Sequence, residues 1–184
     1  MFYDVPNREL LNDEIRIAIF NSIKLYILAT QNEEIQIETV RVLSNLSRHA
    51  KLCDEFVSDS TFLEALTVVL DHTLRDLVFY SVGIIINITL HDDSRIKILE
   101  KDIVVPKLVD VLKDSNIEDI DLSKVAAKAL HNMTQGNSPK MNDYWTNESI
   151  MKLNEVALSL GDELDSIMVS KPNNFKLFYR MWHR

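Results

Sequence analysis

The chain has 184 residues, of which 46% are hydrophobic and 26% are charged, a mixture typical of a soluble globular protein with enough length to bury a core. Its net charge of −8 disfavours nonspecific binding of nucleic acid or anionic membranes across the whole surface. Cys53 is the only cysteine, which excludes an intramolecular disulfide, and no apolar stretch approaches the roughly 18 residues that span a bilayer. The first residues also lack a secretory signal, so we expect a cytoplasmic protein.

The chain contains only three glycines and four prolines, which favours long helices joined by short turns. One short phrase recurs, with Asn at its centre. Its three copies are Leu43-Ser-Asn45-Leu-Ser47, Ile85-Ile-Asn87-Ile-Thr89 and Leu130-His-Asn132-Met-Thr134. The first two Asn residues lie 42 positions apart and the next two lie 45 apart. A period of this length indicates a helical solenoid repeat.

The spacing predicts repeats at about 7–48, 49–90 and 91–136, which together form a domain over 1–136. Each repeat is expected to contain a short helix, a second helix and a longer third helix that carries the Asn. The helices predicted for the second and third repeats are Ala50–Ser58, Thr61–His72, Leu74–Leu90, Ser94–Glu100, Val104–Leu112 and Leu122–Thr134. Residues 137–184 are predicted to form capping helices, near Asn147–Leu160 and Asp162–Val169, and an aromatic-basic tail that either covers the last repeat or docks on a partner.

Two sets of positions are expected in the core of the repeats. Small side chains lie six residues before each Asn, at Thr39, Ser81 and Ala126, and predict a close approach between helices. Apolar side chains lie two residues before it, at Leu43, Ile85 and Leu130. Pro106 is expected in the first turn of its helix, where proline is tolerated.

A three-helix unit of about 42 residues that ends in an Asn-apolar-small phrase resembles the armadillo repeat, and the resemblance covers about Asn7–Gly136. Within it, Val82-Gly83-Ile-Ile-Ile-Asn87-Ile-Thr resembles the family of armadillo repeat-containing protein 2, as does Asp121-Leu-Ser-Lys-Val-Ala-Ala-Lys-Ala-Leu130. The resemblance implies an all-α fold, an armadillo-type right-handed α-α superhelix (solenoid) of about three repeats plus a C-terminal cap.

The same resemblance implies a non-enzymatic adaptor or scaffold in assembly of the axoneme of cilia and sperm flagella, with radial-spoke components. Its location would then be the cytoplasm and the cilium or flagellum. The alternative is a general cytosolic armadillo scaffold with no ciliary role. Armadillo proteins hold extended peptides along a groove, and the repeated Asn can hydrogen-bond the peptide backbone there. The same amide can instead bond a neighbouring helix, and both roles remain open.

Helical spacing places the residues four before each Asn on the same face as the Asn, and two of these three are cationic. The candidate partner-binding groove consists of Arg41, Asn45, Arg48, Gly83, Asn87, Lys124, Lys128 and Asn132. Armadillo proteins that import nuclear cargo carry Trp four residues before the Asn. Since none stands there in this chain, a nuclear-signal receptor is disfavoured.

The groove residues predict a protein partner that presents an acidic or phosphorylated extended segment. The alternative is a solvated face with local ion pairs such as Glu38 with Arg41. The five histidines form no helical metal pair with a neighbouring Glu, and no catalytic or cofactor-binding motif is present. We therefore predict no catalytic residue, no metal and no cofactor, no nucleic-acid or membrane partner, and a monomer.

Overall fold

A computed structural model describes residues 11–101, 103–114 and 120–134, and within these ranges the chain forms helices and no strand. The helices are α1 (Asp13–Ile23), α2 (Tyr26–Ala29), α3 (Glu33–Leu46), α4 (Ala50–Ser58), α5 (Ser60–Leu70), α6 (Arg75–Thr89), α7 (Asp92–Glu100), α8 (Val104–Asp114) and α9 (Ile120–Thr134). The six helices predicted for the second and third repeats are all present, with ends shifted by at most a few residues. The predicted cap and tail at 137–184 lie outside the described residues.

Side-chain caps determine where several helices begin. The Asn32 side chain accepts a hydrogen bond from the Ile35 amide at 3.2 Å, and Asp59 accepts one from the Phe62 amide at 2.9 Å. Each of these bonds satisfies an amide that has no partner within the helix. Acidic residues also occupy the first turn of α3, where they interact favourably with the helix dipole.

The first repeat has the three predicted helices, but its first helix is longer and its second is shorter than the corresponding helices of the second repeat. In the second repeat the chain turns at Asp59, between α4 and α5. The position 42 residues earlier is Ile17, which cannot cap a helix, and α1 runs through it without a break. The chain turns instead after Ile23, and α2 has only four residues.

The chain divides into two compact units, with the boundary after Lys97. In the first unit, α1 packs against α4, α2 against α5, and α3 along α6. The rings of Phe20, Phe56 and Phe62 form a fully buried cluster with centroids 4.5–5.1 Å apart. Aromatic pairs at these distances stabilise a fold by about 0.5–1.5 kcal/mol beyond the burial of their area. The cluster therefore joins the first repeat to the second.

In the second unit, α8 packs against α9. Leu108 and Leu112 of α8 are fully buried, as are Ala126 and Met133 of α9. Pro106 is the third residue of α8, so it lies in the first turn as the sequence predicts.

Both sets of predicted core positions are buried. The small residues Thr39, Ser81 and Ala126 and the apolar residues Leu43, Ile85 and Leu130 are at most 8% exposed. The Ser81 hydroxyl donates to the Leu77 carbonyl at 2.8 Å, so its polar group has a partner in its own helix. The Asn phrase thus gives a reliable register for the core of the repeats.

Cys53 is fully buried at the packing surface of α4. Its Sγ lies 2.9 Å from the Ser47 carbonyl oxygen, to which the thiol donates. Burial, followed by the negative charge of Asp54, raises the pKa of the thiol to about 12. The cysteine is therefore a packing residue, held in its neutral form at physiological pH.

Candidate partner-binding groove

In the first unit, the candidate groove residues lie on the third helices of two successive repeats and just after the first of them. Arg41 and Asn45 are on α3, Arg48 follows that helix, and all three side chains are exposed. Gly83 and Asn87 are on α6 and are half-buried. Since α3 packs along α6, the structure places these two sets on neighbouring helices.

The Asn87 side chain connects the two repeats. Its Nδ2 donates to the Ser44 carbonyl at 3.2 Å and to the Ser47 hydroxyl at 2.8 Å, both in the preceding repeat. The Ser47 hydroxyl itself donates to the Ser44 carbonyl at 2.7 Å, which completes a small polar network. The supporting role considered for the repeated Asn is therefore present at Asn87. Its Oδ1 accepts no hydrogen bond from a residue within the described ranges.

Asn45 occupies the same place in the sequence phrase but has a different environment. Its side chain is exposed and makes no hydrogen bond with any other residue that the structure describes. The difference between Asn45 and Asn87 follows from their neighbours, because Asn87 has the end of α3 beside it. An exposed amide offers two donors and two acceptors to an incoming backbone.

Gly83 lies on α6 close to Ser44 of α3. A Cβ atom at this position would lie 3.1 Å from the Ser44 hydroxyl oxygen, closer than an ordinary van der Waals contact. A side chain at this position therefore requires the Ser44 hydroxyl to move by a few tenths of an ångström. This close contact favours glycine four residues before Asn87.

Arg41 is held by two neighbouring side chains. It forms an ion pair with Glu38, one turn earlier on α3. Its guanidinium group also lies 6.0 Å from the centre of the Tyr80 ring on α6, within the range of a cation–π contact. The predicted pair of Glu38 with Arg41 is thus present, and it neutralises part of the charge at this position.

Tyr80 contacts the groove residue Arg41 and was not predicted from the sequence, and Phe79 packs beside it. Their rings meet edge to face with centroids 5.7 Å apart, and the Arg75 guanidinium lies 5.0 Å from the Phe79 ring. Tyr80 precedes Gly83 by three positions and Asn87 by seven, which places it on the same side of α6. That spacing was the signal that could have identified it.

The second unit carries its own row of candidate residues, all on α9. Lys124, Lys128 and Asn132 are spaced by four positions and so follow one side of the helix. Lys128 is exposed, and the other two are half-buried. The row repeats the arrangement of a cation four residues before the Asn that Arg41 and Asn45 show on α3.

A separate open recess of about 580 Å³ lies between the first turns of α4 and α7. Asp54 is its central acidic group, and it accepts hydrogen bonds from the Ser94 hydroxyl at 3.0 Å and from Lys97 Nζ at 3.4 Å. Because Asp54 is satisfied by these two side chains, the recess has the character of a packing contact between successive repeats.

Within the described ranges, no helix is both long and apolar enough to cross a membrane. The same residues contain no group of three or more histidine, cysteine or acidic side chains placed to hold a metal ion.

Solved structures similar to this chain are armadillo-repeat proteins made by design or engineering. A computationally designed armadillo repeat protein for modular peptide recognition superposes with a TM-score of 0.59 over 78% of this chain and 65% of its own, at 17% identity. A designed armadillo repeat protein in complex with the peptide (KR)4 gives a TM-score of 0.55 over 88% of this chain and 81% of its own, also at 17% identity. These similarities confirm the predicted all-α armadillo-type solenoid fold.

Among natural proteins, the chain is similar to armadillo repeat-containing protein 2. It is 30% identical over 134 residues to the proteins of Bos taurus and Homo sapiens, and 28% identical over 134 residues to that of Mus musculus. The match covers 73% of this chain and 15% of each relative, so the chain spans a small part of their length. No protein-family profile matches the chain. An armadillo solenoid is a scaffold suited to binding other proteins along its length.

Proposed function

We propose that the chain is a non-enzymatic adaptor that binds an extended segment of a partner protein along the exposed side of its third helices. The observation that carries this proposal is an unbonded amide oxygen in two successive repeats, because the Oδ1 atoms of Asn45 and Asn87 accept no hydrogen bond from a residue within the described ranges. Asn87 supports the same role through its Oδ1, which is left for a peptide N–H while its Nδ2 bonds Ser44 and Ser47.

The charges near these amides favour an acidic or phosphorylated segment. Arg48 and Lys128 are exposed and form no ion pair within the ranges that the structure describes. Arg41 is exposed as well, although Glu38 offsets part of its charge. One designed neighbour is complexed with the basic peptide (KR)4. The exposed cations of this chain favour a peptide of the opposite charge.

The setting that we propose is assembly of the axoneme of cilia and sperm flagella, where the adaptor would hold radial-spoke components. Support for this setting comes from the similarity to armadillo repeat-containing protein 2 over 134 residues. The chain would then be found in the cytoplasm and in the cilium or flagellum, as a monomer that requires no cofactor.

Charge reversal with quantitative proximity labelling in ciliated cells tests both parts of the proposal. Arg41→Glu and Lys128→Glu, singly and together, should reduce recovery of the partners that the unaltered chain labels. The matched control is Lys51→Glu with Lys101→Glu, which makes the same change in net charge at exposed positions outside the third helices.

Equal recovery by the groove variants and the unaltered chain would remove the groove from the proposal. A labelled set without axonemal or ciliary-transport proteins would remove the ciliary setting. The chain would then be a general cytosolic scaffold. The two parts of the proposal therefore fail by different results.

A further inference from the structure

The first repeat exposes apolar side chains at positions that are buried in the second repeat. Positions 42 residues apart are equivalent in the third helices, because α3 begins at Glu33 and α6 begins at Arg75. Ile35 of α3 is 47% exposed, whereas Leu77 at the same position of α6 is 0% exposed. Val42 is 40% exposed, and its equivalent Ile84 is 0% exposed.

The second helices show the same difference. Leu28 of α2 is 49% exposed, while Leu70, 42 residues later in α5, is 4% exposed. The difference is absent at one pair of equivalent positions, because Tyr26 and Val68 are both more than half exposed. The buried residues Leu77, Ile84 and Leu70 lie on helices of the second repeat that have a neighbour.

That neighbour is the first repeat itself. It lies against the second repeat through α3 on α6 and α2 on α5, the helices that carry Leu77, Ile84 and Leu70. Asn87, three residues after Ile84, identifies the side of α6 that faces the preceding repeat, because it bonds the end of α3. The corresponding amide at Asn45 has no such partner within the described ranges.

We propose that Leu28, Ile35, Val42 and Asn45 form a stacking face that receives a further armadillo repeat, joined to the chain ahead of α1. The expected occupant presents an apolar third helix against Ile35 and Val42. The end of that helix presents a carbonyl and a hydroxyl oxygen to Asn45 Nδ2, as Ser44 and Ser47 do for Asn87 Nδ2, and leaves Asn45 Oδ1 for the peptide backbone. The relatives are several times longer than this chain, since the match covers 15% of their length, and they have room for a longer array.

An added repeat tests this face. Residues 7–48 are placed once more in front of residue 7, which keeps the period of 42 and provides a second copy of the Ser44 and Ser47 acceptors. The extended protein should unfold at a midpoint higher by roughly 5 °C or more, because each kcal/mol of stabilisation shifts the midpoint of a small domain by several degrees. Val42→Lys in the downstream copy should abolish that rise.

The same Val42→Lys substitution should shift the midpoint of the original chain by less than about 2 °C, because an exposed site tolerates a charge. Val68→Lys is the matched control, since that position is exposed in both repeats, and it should have a small effect in both proteins. An unchanged midpoint in the extended protein, or loss of its cooperative unfolding, would overturn the proposal.

A large destabilisation of the original chain by Val42→Lys would also overturn it, because the face would then be covered already. Sedimentation of the original chain over a range of concentrations distinguishes the cause. A dimer that Val42→Lys dissociates would show that a second copy occupies the face. A monomer at all concentrations is the result expected from the proposal.

Discussion

At the scale of single residues, the same Asn has different consequences in successive repeats. The Asn87 side chain bonds two oxygens of the preceding repeat, whereas the Asn45 side chain is exposed and makes no hydrogen bond with a described residue. The sequence places both residues on the third helix of a repeat. It cannot distinguish them, because the distinction depends on which helix end lies beside each amide.

The two amides should therefore respond differently to truncation. Asn87→Ala should lower the free energy of unfolding by about 1–2 kcal/mol, since it leaves the Ser44 carbonyl without that donor inside the fold. Asn45→Ala should change it by less than about 0.5 kcal/mol, as expected for an exposed site. Urea denaturation followed by circular dichroism measures both values. Equal losses for the two variants would contradict the structural role assigned to Asn87.

Cys53 gives a second prediction at this scale. Burial raises the pKa of its thiol to about 12, so the native protein at pH 8 should react with a thiol reagent at least tenfold more slowly than the unfolded chain in urea. The measurement is the rate of labelling with Ellman's reagent at several urea concentrations. Equally fast labelling of the native chain would show that the thiol is accessible.

At the scale of helices, one polar contact joins the first repeat to the second while also beginning a helix. Asp59 caps the N-terminus of α5 and pairs with Lys24 at the end of α1. Burial of the Asp59 carboxyl disfavours its charged form, but Lys24 and the amides of Phe62 and Thr61 outweigh that effect. They hold the pKa of Asp59 below its ordinary value of 3.8.

A lowered carboxyl pKa makes this contact sensitive to acid. The folded state favours the ionised form, so its contribution to stability is present above about pH 4 and is lost as the pH falls through the folded pKa. Because both side chains are partly exposed, the contribution is at most about 1 kcal/mol. Asp59→Asn keeps the cap and removes the ion pair, so it should reduce the loss of stability between pH 7 and pH 3.

Urea midpoints at the two pH values measure this effect, and Lys24→Gln serves as the reciprocal variant. Both variants should lose less stability on acidification than the unaltered chain. If all three proteins lose the same amount, the ion pair makes no pH-dependent contribution to stability.

The helices also show where the repeat pattern is sufficient and where it is not. Caps and apolar spacing predict α4 to α9 closely. The form of α1 and α2 was not predicted, although the residue responsible is visible in the sequence. Ile17 occupies the position at which Asp59 begins a new helix in the second repeat. The first repeat therefore keeps the spacing of its core residues but has no turn at Ile17.

At the scale of the whole molecule, the chain divides into two compact units, and the boundary along the sequence falls within α7. The first unit has a continuous core that includes the aromatic cluster of Phe20, Phe56 and Phe62 and the paired helices α3 and α6. All of these groups precede residue 98. The first unit thus contains the contacts that a small independent domain requires.

A chain of residues 1–101 should therefore be helical and unfold cooperatively, with a lower midpoint than the full chain. About one hundred residues are enough to bury a core of their own. Circular dichroism during thermal unfolding provides the measurement, and Phe20→Ala in the same short chain is the control that removes the cluster. A non-cooperative melt of the unaltered short chain would show that its core depends on residues beyond 101.

The sequence by itself determined the repeat, its period, the helices of the second and third repeats, the buried small and apolar positions and the armadillo-type fold. These properties are local or periodic, so the order of residue types is sufficient to specify them. The tertiary structure decided which amide supports a neighbouring repeat, that Gly83 lies close to Ser44, and which apolar residues of the first repeat remain exposed. Those properties depend on which surfaces of successive repeats are in contact. Equivalent positions of two repeats therefore differ in exposure and hydrogen bonding when only one of the repeats has a neighbour on that side.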